Sequence, residues 1–161
     1  MSVIKNLHKL LHLQYFSTDH LNKLEAGAAL HLKYSNISFK IIEMNIKNSS
    51  VVVKTEQGKH LSENYADEVR LIELTRELFS VLDGAKILVH PIPYKPPIID
   101  VVNPAWINDK MLNNGVRIKD IQADTGIDKT NLSAWINGTR PMSQPVKAMF
   151  YFYFKLNSQI Q

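Results

Sequence analysis

The chain has 161 residues, of which 45% are hydrophobic, and it carries a net charge of +4 with no cysteine. This length and composition suit one medium domain or two small ones with packed cores, and they exclude wholesale disorder. The lack of cysteine excludes disulfide frameworks and thiolate metal sites, whereas the positive charge permits a polyanionic partner.

The first thirteen residues predict an amphipathic helix, because Ile4, Leu7, Leu10 and Leu11 recur at helical spacing. Lysines and histidines interrupt this segment, so it lacks the continuous apolar region of a secretory signal. No later run approaches the roughly 18 apolar residues that a membrane-spanning helix needs. We therefore expect a cytoplasmic protein.

Helix and strand patterns alternate over the next part of the chain. Turn residues separate the strand-like runs, and Ile37, Phe39 and Ile41 fall on one face of the second run. The order predicts a small α+β domain over residues 1–92 with a mostly antiparallel sheet. The predicted elements are helices at 17–25 and 62–82 and strands at 29–34, 37–46, 50–56 and 86–92.

A cluster of prolines follows, with five between Pro91 and Pro104. Proline removes a backbone donor and disfavours helix before it, so we predict an extended linker over residues 93–102. Beyond it the pattern is helical and predicts an all-α domain of four to five helices over residues 103–161. Its helices are predicted at 104–113, 117–125, 128–137 and 143–157. From Val102 onward the charge is +3, with seven basic and four acidic residues.

The most informative segment is residues 118–141, IKDIQADTGIDKTNLSAWINGTRP. Gly126 lies where the chain must reverse direction between two helices, which favours a residue that tolerates a positive φ. Asp128 can cap the second helix through its side-chain oxygen. Leu132, Trp135 and Ile136 fall at i, i+3 and i+4 of that helix and predict its buried stripe.

The other side of the second predicted helix is polar or basic and contains no glutamate. It carries Lys129, Thr130, Ser133 and Asn137, a set of side chains that suits the major groove of DNA. Arg140 follows in the next loop, where a phosphate contact is natural.

The segment resembles the Xre/Cro-type helix-turn-helix repressor family over about 45 residues, from Trp106 to Phe154. The resemblance implies that the second helix contacts bases and that neighbouring basic residues contact phosphates. In one departure, Gln122 replaces a small family residue that packs tightly against the second helix. The implied base contacts are Lys129, Thr130, Asn131 and Ser133, and the implied phosphate contacts are Arg117, Lys119 and Arg140.

The resemblance implies a transcriptional regulator of bacterial or phage type, such as a repressor, that binds double-stranded DNA as a homodimer. The N-terminal domain would then dimerise or receive a small-molecule or protein signal. One alternative is a protein-interaction module or antitoxin-like partner whose helical domain docks on protein. Another is an enzyme acting on nucleic acid, which the sequence disfavours because no catalytic motif is present.

Two further clusters have ordinary structural explanations. His8 and His12 have a spacing that suits zinc, but no carboxylate accompanies them in the next turn. The acidic residues between Asp67 and Glu77 alternate with arginines, as on a solvated helix face. We therefore expect no metal, no cofactor and no catalytic centre.

Overall fold

Three strands and six α-helices make up the fold of the computed structural model, which describes residues 2–160. The α+β class predicted from the sequence is therefore confirmed. Short 3-10 helices cover Leu7–His12 and Ile98–Val101, and the chain divides into two units, residues 1–95 and 96–161. The strands are β1 (Ile37–Asn45), β2 (Ser50–Gln57) and β3 (Lys86–Ile92), and the helices are α1 (Thr18–Ser35), α2 (Glu68–Phe79), α3 (Pro104–Asn114), α4 (Ile118–Thr125), α5 (Lys129–Ile136) and α6 (Gln144–Ile160).

The sheet of the N-terminal unit has the order β1-β2-β3. β1 and β2 form an antiparallel hairpin, but β2 and β3 are parallel. The prediction of a mostly antiparallel sheet is therefore wrong for one of the two pairings. A parallel neighbour requires a crossover, and α2 provides it by returning the chain to the same end of the sheet. Ile37, Phe39 and Ile41 are all buried, as their alternation predicted.

The strand predicted over residues 29–34 is wrong, because this segment belongs to α1. The segment contains no β-branched residue and follows an alanine-rich stretch that favours helix. A capping box begins the helix, with the Ser17 hydroxyl and the His20 ring each accepting a backbone N–H of the other residue. The helix continues to Asn36, which ends it at a φ of 49°.

The first predicted helix is shorter and tighter than expected. A 3-10 helix covers Leu7–His12, with Ile4, Leu7 and Leu10 buried and Leu11 mostly exposed. Leu11 follows Leu10 directly, so the two side chains diverge and only one faces the core.

The helix predicted over residues 62–82 begins only at Asp67, whose carboxylate accepts the backbone N–H of Arg70 at 2.8 Å. The preceding loop is held by the buried Gln57 side chain. Its amide donates to the carbonyl of Asn64 and its oxygen accepts the N–H of Ala66. These bonds satisfy backbone groups that helix would otherwise pair, so the loop stays non-helical.

A buried pair of threonine hydroxyls links β2 to α2. The Oγ1 atoms of Thr55 and Thr75 lie 2.6 Å apart, and both residues are fully buried. Thr75 also donates to the carbonyl of Leu71 at 2.6 Å. A hydroxyl has one proton, so Thr55 is the donor and Thr75 the acceptor in the bond between them.

The C-terminal unit is all-helical, and its four α-helices lie close to their predicted bounds. Part of the predicted linker is ordered, because residues 98–101 form a 3-10 helix and Val102 is buried. An apolar side chain in the core anchors this end of the connector. The buried core of the unit consists of Val102, Ile107, Ile121, Leu132, Ile136, Phe150 and Phe154.

We predict unequal costs for the two threonine substitutions. Thr75→Val leaves the buried Thr55 hydroxyl without an acceptor and should cost about 1–3 kcal/mol, whereas Thr55→Val removes only a donor and should cost less. Adding Thr55→Val to Thr75→Val should recover part of the loss, since the unpaired hydroxyl disappears. Chemical denaturation of the three variants measures these free energies. Equal costs for the single substitutions would contradict the assigned direction of the bond.

Candidate nucleic-acid interface

The turn between α4 and α5 is fixed by hydrogen bonds on both of its sides. Gly126 ends α4 with a φ of 71°, a conformation that glycine adopts without strain. The Thr125 hydroxyl donates to the carbonyl of Ile121 at 2.6 Å and accepts the N–H of Ile127 at 3.2 Å. Asp128 accepts the N–H of Thr130 at 2.9 Å and so begins α5. The roles predicted for Gly126 and Asp128 are confirmed.

One side of α5 is buried in the core of the C-terminal unit. Leu132 is fully buried and Ile136 nearly so. Trp135 is only partly buried, because it lies at the edge of the stripe and meets Phe150 edge-on, with ring centroids 6.4 Å apart. The prediction of a three-residue buried stripe is therefore correct for Leu132 and Ile136 and overstated for Trp135.

The exposed side of α5 borders an open cavity of about 400 Å³. Lys129 and Thr130 are exposed in its first turn, and Ser133 is partly exposed one turn later. The structure thus brings four of the predicted DNA-contacting side chains together on one surface. We call this surface the α5 face; it is lined by Lys129, Thr130, Ser133, Ala134, Asn137 and Thr139.

Asn131 lies outside this lining and is held by Arg140. The Arg140 guanidinium donates to the Asn131 side-chain oxygen at 2.6 Å. On the α5 face itself, Asn137 donates from its amide to the Ser133 hydroxyl at 3.1 Å. The Arg140–Asn131 bond was not predicted from the sequence, because Asn131 was assigned to a base contact and Arg140 to a phosphate contact.

The basic residues of α4 differ in how firmly they are held. Arg117 precedes the helix, and its Nε lies 3.5 Å from Asp120, whose carboxylate also accepts the Arg117 N–H at 2.8 Å. These contacts lower the pKa of Asp120, with the backbone hydrogen bond as the main cause. Lys119 is exposed and, within the described part of the chain, forms no ion pair. Of these two cationic side chains, the Arg117 guanidinium is paired with Asp120, whereas the Lys119 ammonium has no acidic partner among the described residues.

Gln122 does not pack against α5, because it is exposed to solvent. The expectation that this position packs tightly is wrong for this chain. Ile121, the preceding residue, is fully buried and supplies the apolar contact of α4 instead. A long polar side chain at position 122 is therefore compatible with the packing of the two helices.

A hydrogen bond that sequence analysis missed ties the end of α4 to α6. The Tyr153 hydroxyl donates to the Asp124 carboxylate at 2.9 Å. Burial of the phenol, followed by its bond to this carboxylate, raises the pKa of Tyr153 to about 12. The bond also gives a partner to a carboxylate near a helix C-terminus, where the helix dipole disfavours negative charge.

The acidic residues near the α5 face are therefore engaged within the unit. Asp120 and Asp128 accept backbone N–H groups, and Asp124 accepts the Tyr153 hydroxyl. Lys119 and Lys129 form no ion pair with any described residue. The charged side chains near the α5 face that have no partner among the described residues are therefore the two lysines, Lys119 and Lys129.

The described residues contain no group of three or more metal-ligating side chains, and His8 and His12 are both exposed. None of the described helices has the length and apolar character that crossing a membrane requires. Comparisons with protein-family models, with curated proteins and with solved structures find no match to this chain.

We predict that one of the six tyrosines ionises near pH 12, and that Asp124→Ala lowers this value toward the ordinary pKa of 10. Absorbance titration of phenolate measures both. Unfolded tyrosine ionises near pH 10, so the contribution to stability is complete below that pH and is lost as pH rises toward 12. Tyr153→Phe is the control, and a late step that survives this substitution would contradict the assignment.

Proposed function

We propose that this protein binds double-stranded DNA through the α5 face, with α4 and α5 acting as a helix-turn-helix. The observation that carries the proposal is the division of α5 into two sides. Leu132 and Ile136 are buried, and the adjoining exposed side presents a continuous set of small polar and basic groups. A helix with these dimensions and this chemistry fits the major groove, which admits one α-helix.

The chemistry of the α5 face suits base edges. Lys129 donates to guanine acceptors, Thr130 and Ser133 donate or accept, and Asn137 offers an amide. Lys129 and Thr130 lie in the first turn of α5, the part of a recognition helix that meets the bases. Asn131 stands beside this set, with its oxygen accepting from Arg140.

Three basic side chains are proposed to contact phosphates. Arg117 and Lys119 lie at the start of α4, and Arg140 lies in the loop after α5. Such contacts fix the register of a protein on the duplex but carry little sequence information. The excess of basic residues in this part of the chain supports an electrostatic contribution to binding.

The resemblance to Xre/Cro-type repressors extends the proposal to transcription. We propose a cytoplasmic regulator, without catalytic activity, that binds as a homodimer to two half-sites about one helical turn apart. A recognition helix of eight residues reaches few base pairs, so a second copy is needed for tight and selective binding. The N-terminal unit is the proposed source of the dimer contact.

Selection of bound duplexes from a random DNA pool tests the proposal directly. We expect an enriched motif, and a two-fold symmetric motif would support the dimer. A pool that stays random through successive rounds would reject sequence-specific binding and favour the protein-docking alternative. The 161-residue chain is the appropriate sample, because both units are then present.

We predict that two lysine substitutions weaken DNA binding in different ways. Lys129→Ala should cost about 1–3 kcal/mol on the enriched duplex and relax preference at one base pair. Lys119→Ala should weaken enriched and scrambled duplexes alike and lower the salt slope by about one. Anisotropy titrations at several salt concentrations measure both effects.

Lys155→Ala is the matched control for these titrations, because Lys155 lies on α6 and outside the α5 face. We expect it to bind the enriched duplex nearly as well as the unmodified chain. If Lys155→Ala weakens binding as much as Lys119→Ala, the effect reflects overall charge, and the assignment of phosphate contacts to α4 fails.

We predict that the 161-residue chain is a dimer in solution without DNA. The expected sedimentation equilibrium mass is twice the chain mass of 18.4 kDa. A single species of one chain mass at micromolar concentration would reject a preformed dimer, and cooperative binding to the two half-sites would then be the remaining route to a symmetric complex.

A further inference from the structure

A second cavity of the C-terminal unit, of about 300 Å³, lies between α3 and α6. None of its lining residues belongs to the α5 face, so the two surfaces are distinct. Its volume lies at the lower end of the range for small-molecule sites. The lining consists of Trp106, Lys110, Tyr151, Phe154, Lys155, Ser158 and Gln159.

One wall of this cavity carries two stacked aromatic rings. The rings of Trp106 and Tyr151 are nearly parallel, with an interplanar angle of 14° and centroids 6.0 Å apart. Phe154 is buried and meets Trp106 edge-on at 5.8 Å. Trp106 and Tyr151 are only partly buried, so part of each ring remains available to a ligand. A planar apolar group can stack on such a wall in the offset arrangement that aromatic rings prefer.

Two ammonium groups accompany the aromatic wall. The Lys110 Nζ lies 5.6 Å from the centre of the Trp106 ring, and Lys155 belongs to the lining from α6. Neither lysine forms an ion pair with the residues that the structure describes, and the lining contains no acidic side chain. Among the described residues, the charge of the lining is therefore positive, which favours an anionic ligand.

We propose that this cavity binds a small planar aromatic carboxylate. The ring of the ligand packs against the exposed parts of Trp106 and Tyr151, and its carboxylate accepts hydrogen bonds from Lys110 and Lys155. A neutral ring would gain only the stacking, and a cation would be repelled by both lysines. The proposal does not depend on DNA binding, since it uses none of the α5 face.

Titration of the 161-residue chain with 2-naphthoate, followed by proton–nitrogen correlation NMR, tests the proposal. The chain has two tryptophans, so its two indole N–H signals report on two positions. Trp106 lines the cavity, whereas Trp135 lies on α5 beside Phe150. We expect the Trp106 signal to move in a saturable way at millimolar ligand and the Trp135 signal to stay in place. An unmoved Trp106 signal would overturn the proposal.

The charge requirement is tested with a neutral analogue and two substitutions. 2-Naphthamide should bind more weakly than 2-naphthoate, and Lys110→Gln or Lys155→Gln should each weaken naphthoate about threefold. The same substitutions should leave naphthamide unaffected, and Lys129→Gln should change neither ligand. Equal affinities for the acid and the amide would overturn the assignment of a carboxylate. Because no DNA is present, these outcomes are independent of the proposed function.

Discussion

The proposed recognition surface depends on the burial of two side chains of α5, Leu132 and Ile136. α5 has only eight residues, and an isolated helix of that length is unstable in water. Its stability must therefore come from packing, and burying an aliphatic side chain contributes about 1.5–3 kcal/mol. Once these two residues face the core, helical periodicity turns Thr130 away from it, and Ser133 lies at the boundary between the two sides. Lys129 is exposed because it is the first residue of the helix. The same contacts thus stabilise the helix and orient its polar side.

The aromatic residues of α6 support this arrangement from beneath. Phe150 and Phe154 are buried in the core that contains Leu132 and Ile136. Tyr153 reaches the end of α4 through its bond to Asp124, so α6 also constrains the helix that precedes the turn. A substitution on α6 can therefore alter the α5 face without touching it. α6 also contributes to the aromatic cavity, which gives this helix a part in both proposed sites.

The sequence predicted the C-terminal helices well because their limits are set by local signals. α3 begins after Asn103, which caps it just before Pro104. α4 ends at Gly126 and α5 begins after Asp128, so each limit is set by a residue at or next to the helix end. The strand predicted over residues 29–34 failed because weak alternation was outweighed by a helix already begun at Ser17. The parallel pairing of β2 and β3 is a matter of topology, which local pattern does not encode.

Helical periodicity predicted which side chains of α5 share a surface, but it did not predict the contacts between distant parts of the chain. The grouping of Lys129, Thr130, Ser133 and Asn137 follows from the 3.6-residue repeat. The bond between Tyr153 and Asp124 joins residues 29 positions apart, and nothing in their local sequence pairs them. The α3–α6 cavity could not be predicted from local sequence either, because two helices that are distant in sequence supply its walls.

The side chains of the proposed interface differ in how far they are organised before DNA arrives. Asn131 is oriented by Arg140, and Asn137 is bonded to Ser133. Lys119 and Lys129 are unpaired among the described residues and must lose rotamer freedom on binding, at a cost of about 0.5–1.5 kcal/mol for each immobilised side chain. The amides can therefore contribute direction at a lower entropic cost, whereas the lysines contribute attraction that acts at longer range. Because the Asn131 oxygen already accepts from Arg140, its amide group would meet DNA mainly as a donor in the proposed complex. This favours acceptor atoms such as guanine O6 and N7 over the donor–acceptor pair that adenine presents.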